Sequence, residues 1–160
     1  MRLVVLADTH IPDRSENIPA SLVKELKKAD LVIHAGDFTS LDAFKKIKSI
    51  NSLKAVLGNL DAPELREFLR EKETLMLQKY KIGIMHGFGQ AENVLDNIKK
   101  QFDDTFDLVI FGHTHNAFVQ RIGRTLFFNP GSPTDKIFAA YNSYGIIELN
   151  DTIETNIIKL

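Results

Sequence analysis

The stretch VIFGHTHNAF (Val109–Phe118) lies where two kinds of sequence pattern meet. An apolar run ends there at a glycine, and two histidines separated by one threonine follow, although the chain has only five histidines. Before this stretch, short apolar runs alternate with helical spacings, which favours parallel strands joined by crossover helices. After it, short strand-like runs separated by turn residues favour antiparallel strands. We therefore predict an α/β protein with sheets packed together and helices outside them.

The predicted elements follow one another without a repeat or a linker. The predicted strands are RLVVLA, DLVIHAG, LKAVLG, ETLMLQ, KIGIMHG and DLVIFG, and then AFVQRI, TLFFN, IFAAYN, YGIIEL and TIETNIIKL. Apolar residues at helical spacing predict helices through Leu22–Leu26, Leu41–Ile47, Leu65–Leu69 and Val94–Phe102. The segment Ile137–Ile147 is a candidate edge strand or apolar interface, so a homo-oligomer stays open.

Length and composition fit one domain over residues 1–160. Twenty basic and twenty-one acidic residues leave a formal charge of −1, which argues against long nucleic acid as a partner. The chain has no cysteine, so a transition metal has to be bound by histidine, carboxylate or amide ligands. The first apolar run is too short for a signal peptide, and no run is long enough for a membrane helix, so we expect a cytoplasmic protein without membrane contact.

Every histidine lies at or just beyond the end of an apolar strand-like run. Asp8 with His10, Asp37, Asn59, His86, and His113 with His115 follow five different predicted strands. The carboxyl ends of parallel strands meet at one edge of a sheet, so we expect these side chains to converge. Residues two apart in an extended segment point the same way, which would bring each D-x-H or H-x-H pair together. Glycines before Asp37, Asn59 and His113 would let the backbones approach closely.

Seven such side chains are too many for one tetrahedral metal ion. They suit two divalent ions that share a carboxylate, a pair able to hold the attacking and leaving oxygens of a displacement in line. Mixed imidazole, carboxylate and amide donors favour manganese, iron, zinc, nickel or cobalt over calcium. We expect manganese and keep the other four as alternatives.

In order and spacing, the motifs DTH, GD, GN, HG and GHTH resemble the signature of the calcineurin-like metallophosphoesterase family. NPGS (Asn129–Ser132) also resembles a motif of its small bacterial and archaeal phosphodiesterases. The resemblance implies two packed mixed β-sheets, a β-sandwich core, flanked by helices. It also implies hydrolysis of a small phosphodiester, or else a phosphomonoester, by in-line attack of a hydroxide held between two metals.

Roles carried over from the family fall on matching positions of this chain. By resemblance, Asp8, His10 and His115 bind one metal, Asn59, His86 and His113 bind the other, and Asp37 bridges them. Asp37, Asn59 and His86 are then the residues expected to take part in catalysis. Asn59 is expected to lie close to the bound phosphate, with Asp61 as a second substrate contact. The competing interpretation of Asp61 is a helix-capping box with Glu64.

One departure from the family concerns the leaving group. Many members have histidine directly after the G-N asparagine, where it is thought to protonate the leaving group, whereas this chain has Leu60. A positioned general acid contributes about 10²–10⁴-fold, so Leu60 puts the substrate class in question. One eukaryotic relative is a trafficking-complex subunit with an impaired metal site, so a metal-binding scaffold is the alternative function.

Other polar and aromatic residues have structural interpretations beside the functional ones. His34 lies within a strand and is interpreted either as a hydrogen-bonded core residue or as a residue that orients a metal ligand. NPGS is either a turn between strands or a set of backbone amides facing an anion. Phe127, Phe128 and Phe138 are expected in the core or an interface rather than stacked on a nucleobase.

Overall fold

A computed structural model describes residues 1–160 as ten β-strands, three α-helices and two 3₁₀ helices. The strands are β1 (Arg2–Leu6), β2 (Leu31–His34), β3 (Leu53–Ala55), β4 (Lys72–Leu77), β5 (Tyr80–Met85), β6 (Leu108–Ile110), β7 (Ala117–Ile122), β8 (Thr125–Pro130), β9 (Ser143–Leu149) and β10 (Ile153–Lys159). The α-helices are α1 (Ala20–Leu26), α2 (Leu41–Ile50) and α3 (Val94–Lys99), and the 3₁₀ helices are Pro63–Glu67 and Ala91–Asn93. None of the helices has the length and apolar character needed to span a membrane.

The strands form two mixed sheets of five strands each. The first sheet has the order β10-β9-β1-β2-β3, with β1, β2 and β3 parallel and β9 and β10 antiparallel to their neighbours. The second has the order β4-β5-β6-β8-β7, with β5, β6 and β8 parallel and the two edge strands antiparallel. This arrangement confirms the predicted fold class of two mixed sheets with helices beside them.

Side-chain alternation along β1 shows how the layers pack. Leu3 and Val5 belong to the apolar cluster that joins the two sheets, and Val4 and Leu6 belong to the cluster beneath α1 and α2. Successive strand residues point to opposite faces, so one strand contributes to both layers. On the far side, Val109 of β6 packs with residues of α3. Both faces of the parallel strands are therefore buried, as their uninterrupted apolar runs predicted.

The segment Ile137–Asn142 is not a strand, which corrects the prediction for IFAAYN. The carboxylate of Asp135 accepts hydrogen bonds from the backbone N–H groups of Ile137 and Phe138, at 2.8 and 3.3 Å. These groups are therefore not available to a strand ladder. The following β9 lies between β10 and β1 in the interior of its sheet, so the predicted edge strand is also wrong.

Two predicted helices differ from what their apolar spacing suggested, one in length and one in position and type. The α3 helix ends at Lys99, and Phe102 packs as a buried side chain beyond it. The segment after β3 is a 3₁₀ helix that begins at Pro63, and its N-cap residue is Ala62 without a side-chain cap. The predicted capping box of Asp61 with Glu64 is therefore wrong, because proline fixes the helix start.

Candidate metal centre

The loops that follow five strands bring the seven predicted ligands together. Asp8 and His10 follow β1, Asp37 follows β2, Asn59 follows β3, His86 follows β5, and His113 and His115 follow β6. The strands belong to two different sheets, so the side chains converge where the carboxyl ends of strands from both sheets meet. The sequence predicted a shared strand end correctly, but it assigned that end to a single open sheet.

One group of side chains contains Asp8, His10 and His115. The Nε2 atoms of His10 and His115 lie 3.2 Å apart, and Nε2 of His115 lies 3.5 Å from Oδ1 of Asp8. All three residues are buried, and their ligand atoms lie within 4.8 Å of one another. This group has the donors and the spacing that a divalent cation requires.

A second group contains Asn59, His86 and His113. Oδ1 of Asn59 lies 3.1 Å from Nε2 of His86 and 2.9 Å from Nδ1 of His113, and the two ring nitrogens are 3.4 Å apart. The other ring nitrogens face carbonyl oxygens, with Nδ1 of His86 2.7 Å from Ala35 O and Nε2 of His113 2.8 Å from Gly89 O. A carbonyl oxygen only accepts hydrogen bonds, so those outer nitrogens carry the ring protons. If a bound cation displaced any further proton from these rings, lone pairs of both inner nitrogens would face the Asn59 oxygen, and the cation would stabilise that arrangement.

Asp37 lies between the two groups. Its Oδ2 atom is 3.6 Å from Nε2 of His10 and 3.3 Å from Nε2 of His86. Its Oδ1 atom accepts a hydrogen bond of 2.8 Å from the backbone N–H of Leu60. One carboxylate oxygen is therefore held by the backbone while the other points between the groups.

The charge distribution of the site also fits divalent cations. Burial raises the pKa of Asp8 to about 6, although the neighbouring charges of His86 and His115 lower it. Burial lowers the pKa of His86, but its hydrogen bond with Asp37 and the charges of Asp8 and Asp37 outweigh burial and raise that pKa to about 9. Two buried carboxylates thus depend on histidine protons for neutralisation, and bound cations would take over that role.

Five of the seven predicted ligands have a left-handed backbone. The φ angles are 54° at Asp8, 41° at His10, 62° at Asp37, 71° at His113 and 58° at His115. Non-glycine residues rarely adopt this region, and such strain is concentrated at functional sites. The D-x-H and H-x-H pairs are therefore not extended, contrary to the prediction. Asp8 and His10 converge through this left-handed backbone, and His113 and His115 belong to different groups.

The glycines before the ligands leave room for close backbone contacts, as predicted. A Cβ atom on Gly58 would lie 2.0 Å from Oδ1 of Asp37, and one on Gly36 would lie 2.7 Å from the backbone N of Gly58. A Cβ atom on Gly112 would lie 2.9 Å from Oδ2 of Asp8. A side chain added at any of these three glycines would displace a loop that carries a predicted ligand.

Comparison with known proteins identifies the family. Residues 1–152 match the calcineurin-like phosphoesterase superfamily domain. This chain belongs to that superfamily. The superfamily consists of phosphoesterases that bind divalent metals, and the chemistry of the two side-chain groups agrees with its requirements.

Relatives in archaea and solved structures of the same fold support this assignment. A probable metallophosphoesterase of Methanocaldococcus jannaschii is 34% identical over 138 residues, covering 84% of this chain and 69% of the relative. A phosphodiesterase of the same archaeon is 31% identical over 144 residues, covering 82% of this chain and 83% of the relative. A solved archaeal phosphodiesterase has a TM-score of 0.77 at 25% identity over the whole of both chains. Vps29 of Entamoeba histolytica in complex with Zn²⁺ has a TM-score of 0.76 at 25% identity over 99% of each chain.

In this member of the superfamily, His34 contacts the loops that carry the predicted ligands. Its contacts are with other atoms of those loops, not with the side chains of the ligands. Its Nε2 atom lies 3.1 Å from Oγ1 of Thr9, and its Nδ1 atom accepts a hydrogen bond of 3.2 Å from the backbone N–H of Gly36. Its ring stacks on Phe38 at 3.6 Å between centroids. His34 is a fully buried residue that braces the loops carrying Asp8 and Asp37.

Asp61 also braces a loop. Its carboxylate accepts hydrogen bonds from the backbone N–H groups of Asp37, Thr39 and Gly58, at 3.1, 2.9 and 2.7 Å. Burial raises the pKa of Asp61, while the hydrogen bonds from Gly58 and Thr39 lower it. These bonds occupy both carboxylate oxygens and hold the Asp37 loop beside the Asn59 loop.

The NPGS motif supports the ligand loops from the second sheet. Asn129 Nδ2 donates to Gly112 O at 2.9 Å, and Ser132 Oγ donates to Asp8 O at 2.6 Å. The N–H of Gly131 donates to Oδ1 of Asn129 at 2.9 Å. That amide is therefore engaged within the protein rather than facing an anion.

Asp135 was not among the candidate residues predicted from the sequence, and Phe138 lies at the site rather than in the core. Oδ2 of Asp135 forms a hydrogen bond with Nδ1 of His115, on the side of the ring that faces away from Asp8. The general rule that metal-binding histidines are oriented by a carboxylate is the signal that could have found it. Phe127 and Phe128 are buried as predicted, but Phe138 is 62% exposed and borders the site, so of its two predicted placements the core is excluded and an interface stays a prediction.

Proposed function

We propose that this protein is a phosphodiesterase that acts with two divalent metal ions. The ligands proposed for the first metal are Asp8, His10 and His115, those for the second are Asn59, His86 and His113, and Asp37 is shared. The observation that carries this proposal is the convergence of ring nitrogens and an amide oxygen, all lone-pair donors, around Asp37. Five of the seven groups are buried, and burying ring nitrogens and carboxylates face to face is costly unless something such as a cation compensates them.

The residues of the chain determine how such a site would work. Two divalent ions would supply Lewis-acid activation of water and neutralise charge on the phosphoryl oxygens. Leu60 N–H keeps one oxygen of Asp37 in place, and His113 N–H donates to both oxygens of Asp8 at 3.2 and 3.0 Å. These bonds preorganise the carboxylates, so little rearrangement is needed on binding. Asn59 is exposed at the surface of the site and is proposed to contact the phosphoryl group.

Two clefts that meet at Asn59 favour a diester over a monoester. One cleft of about 420 Å³ contains His86, Arg66 and Phe88, and the other, of about 260 Å³, contains His115, Arg14 and Phe138. Asn59 lines both. A phosphodiester carries two organic groups, and each cleft would accept one of them, whereas a monoester needs only one cleft.

The central test is metal-dependent hydrolysis of a diester with a good leaving group. The purified protein, stripped of metal and reloaded with manganese, should hydrolyse bis(4-nitrophenyl) phosphate. Asp37→Ala should abolish turnover, whereas Asp96→Ala, on the exposed surface of α3 and paired with Lys99, should retain it. Wild-type turnover by the Asp37→Ala variant would exclude Asp37 as the shared ligand, and no turnover by any metal-loaded wild-type sample would exclude the phosphodiesterase.

Manganese is the metal we propose, because the donors combine imidazole with carboxylate and amide oxygen. Elemental analysis of the protein as purified, followed by reloading with manganese, nickel, iron, zinc or cobalt, identifies the metal that gives the highest turnover. Two equivalents of metal per chain are expected. A stoichiometry of one would contradict the dinuclear site even if the protein were active.

A metal-binding scaffold is the second candidate function. The observation that favours it is the likeness to Entamoeba histolytica Vps29 in complex with Zn²⁺. Leu60, Phe88 and Phe138 expose apolar surface close to the proposed metal site, which a protein partner would cover. Tight metal binding without turnover of diesters, monoesters or cyclic phosphates would support the scaffold function. Robust turnover would argue against the scaffold as the main function.

A further inference from the structure

The cleft beside His115 contains a cation and an aromatic ring that are not predicted metal ligands. Arg14 and Phe138 both line it, together with Leu60 and Thr114. Arg14 is the cationic side chain of this cleft, and the Phe138 ring is 62% exposed in spite of its apolar character. A singly exposed aromatic ring is common at protein surfaces, but this ring lines a cleft that also contains proposed metal ligands, where it is available to contact a substrate.

Asp135 fixes the positions of both residues relative to the proposed metal site. Its carboxylate accepts from Phe138 N–H at 3.3 Å, lies 3.9 Å from Nε of Arg14, and forms a hydrogen bond with His115. The side chain of Asp135 is fully buried. One buried carboxylate therefore contacts a predicted ligand, a cation and the backbone that carries an exposed ring.

The ring and the guanidinium also contact each other. Cζ of Arg14 lies 5.4 Å from the centroid of the Phe138 ring, and the His115 ring meets Phe138 edge to face at 5.8 Å. The N–H of Arg14 donates to His10 O at 2.7 Å, which anchors its backbone to a ligand loop. Cation–π and edge contacts of this kind hold a ring without covering all of it.

The second cleft has no comparable construction. Its cation, Arg66, is 67% exposed and lies 3.9 Å from Glu71, whose side chain is 77% exposed. The side chain of Arg14 is only 28% exposed, and its partner Asp135 is buried. Exposed ion pairs hold their side chains weakly, so the Arg14 cleft is the preorganised one.

We propose that Arg14 and Phe138 form a subsite for a planar aromatic ester group of the diester, such as an aryl or nucleoside group. The aromatic group stacks on Phe138, and the Arg14 guanidinium donates hydrogen bonds to a phosphoryl oxygen. This inference rests on the proposed phosphodiesterase function and specifies its substrate class. Stacking on an aromatic side chain is tolerant of the identity of the ring, so the subsite selects planarity rather than one compound.

The test compares two phosphonate monoesters whose poor leaving group, methoxide, makes their hydrolysis slow. The manganese-loaded protein should bind methyl phenylphosphonate about tenfold more tightly than methyl methylphosphonate, as measured by calorimetry. Phe138→Leu should reduce that preference to about twofold, and Phe138→Tyr should preserve it. Arg14→Gln should weaken both ligands by a similar factor of about ten, with partial recovery in Arg14→Lys. Phe68→Leu and Arg124→Gln, an exposed ring and an exposed cation outside both clefts, should behave as the wild type.

The outcomes separate this inference from the proposed function. An unchanged preference for the phenylphosphonate in Phe138→Leu would overturn the aromatic subsite. Turnover of bis(4-nitrophenyl) phosphate by the same samples would still support the proposed phosphodiesterase function. Loss of manganese from Arg14→Gln would show that Arg14 acts through Asp135 and would overturn its proposed contact with the phosphoryl oxygen. An intact aromatic preference without turnover of any diester would overturn the proposed function alone. Thymidine 5′-(4-nitrophenyl phosphate) and bis(4-nitrophenyl) phosphate, compared by KM, then distinguish nucleoside from aryl groups.

Discussion

The carboxylate of Asp135 is hydrogen-bonded to Nδ1 of His115, a residue twenty positions earlier in the chain. The opposite ring nitrogen of His115 points toward Nε2 of His10 and Oδ1 of Asp8. A carboxylate behind a histidine fixes the ring orientation and increases the basicity of the nitrogen that binds metal. Asp135 is thus a positioning residue for the first of the two proposed metals.

Asp135→Asn should weaken metal binding at one of the two sites. The amide keeps the shape of the side chain but removes the charge that supports His115, so manganese affinity of the first site should fall about 10–100-fold. Calorimetric titration should change from two tight equivalents to one tight and one weak. Asp107→Asn, at a carboxylate bonded to Lys81 N–H and Arg124 away from the site, is the matched control. Two unchanged tight equivalents in Asp135→Asn would contradict the role.

Gly58→Ala should destroy the site while leaving the fold intact. The new Cβ atom would lie 2.0 Å from Oδ1 and 2.3 Å from the backbone N of Asp37, so both the carboxylate and the loop that carries it have to shift relative to the histidine groups. A misplacement of about 1 Å costs on the order of 10²-fold in rate, and we expect at least that loss of kcat/KM. Gly123→Ala is the control for the steric clash, because nothing lies within 4 Å of its added Cβ atom, although its φ of +59°, unlike that of Gly58, is left-handed. That variant should lose about 1 kcal/mol of unfolding free energy and no activity.

The layers of the fold and the strand ends of the site could be predicted because they depend on local patterns. Uninterrupted apolar runs indicated strands buried on both faces, and the polar residues after them indicated where the strands end. The geometry within the loops could not be predicted in this way. Asp8 and His10 converge through left-handed backbone, which depends on hydrogen bonds from distant loops rather than on an extended D-x-H segment.

The residues missed by the sequence analysis are those whose role depends on a single long-range contact. The segment after Ser132 has strand-forming residues, but the Asp135 side chain binds its backbone and keeps it out of the sheet. The side chain of Phe138 is apolar, like those of core residues, and it is exposed only because of the position of its loop. Asp61 resembled a helix cap because Glu64 has the right spacing, whereas Pro63 fixes the helix start and Asp61 binds the neighbouring loop.

Metal binding should stabilise the protein measurably. A ligand present at about 100 times its dissociation constant stabilises the native state by about 2.7 kcal/mol. For a domain of this size each of the two proposed ions would raise Tm by roughly 5–10 °C, observable by thermal denaturation with and without manganese. Chelation should reverse the increase. The increase should be about halved in His113→Ala, which leaves the proposed Asp8, His10 and His115 group complete, and an equal increase in that variant would argue that the second group binds no metal.

Leu60→His should recover activity toward esters with poor leaving groups. The Leu60 side chain is 56% exposed in the cleft, and its backbone N–H, which holds Asp37, is unaffected by the change. A histidine there is able to protonate a departing alkoxide or phenoxide, and a positioned general acid is worth about 10²–10⁴-fold when its geometry is optimal. For a position not adapted to it, we expect an increase of about tenfold in kcat/KM for diphenyl phosphate. Bis(4-nitrophenyl) phosphate, whose leaving group needs no proton, should change little. Leu60→Gln, which is polar but does not titrate near neutral pH, serves as the control, and an equal gain in that variant would show that polarity rather than proton donation is responsible.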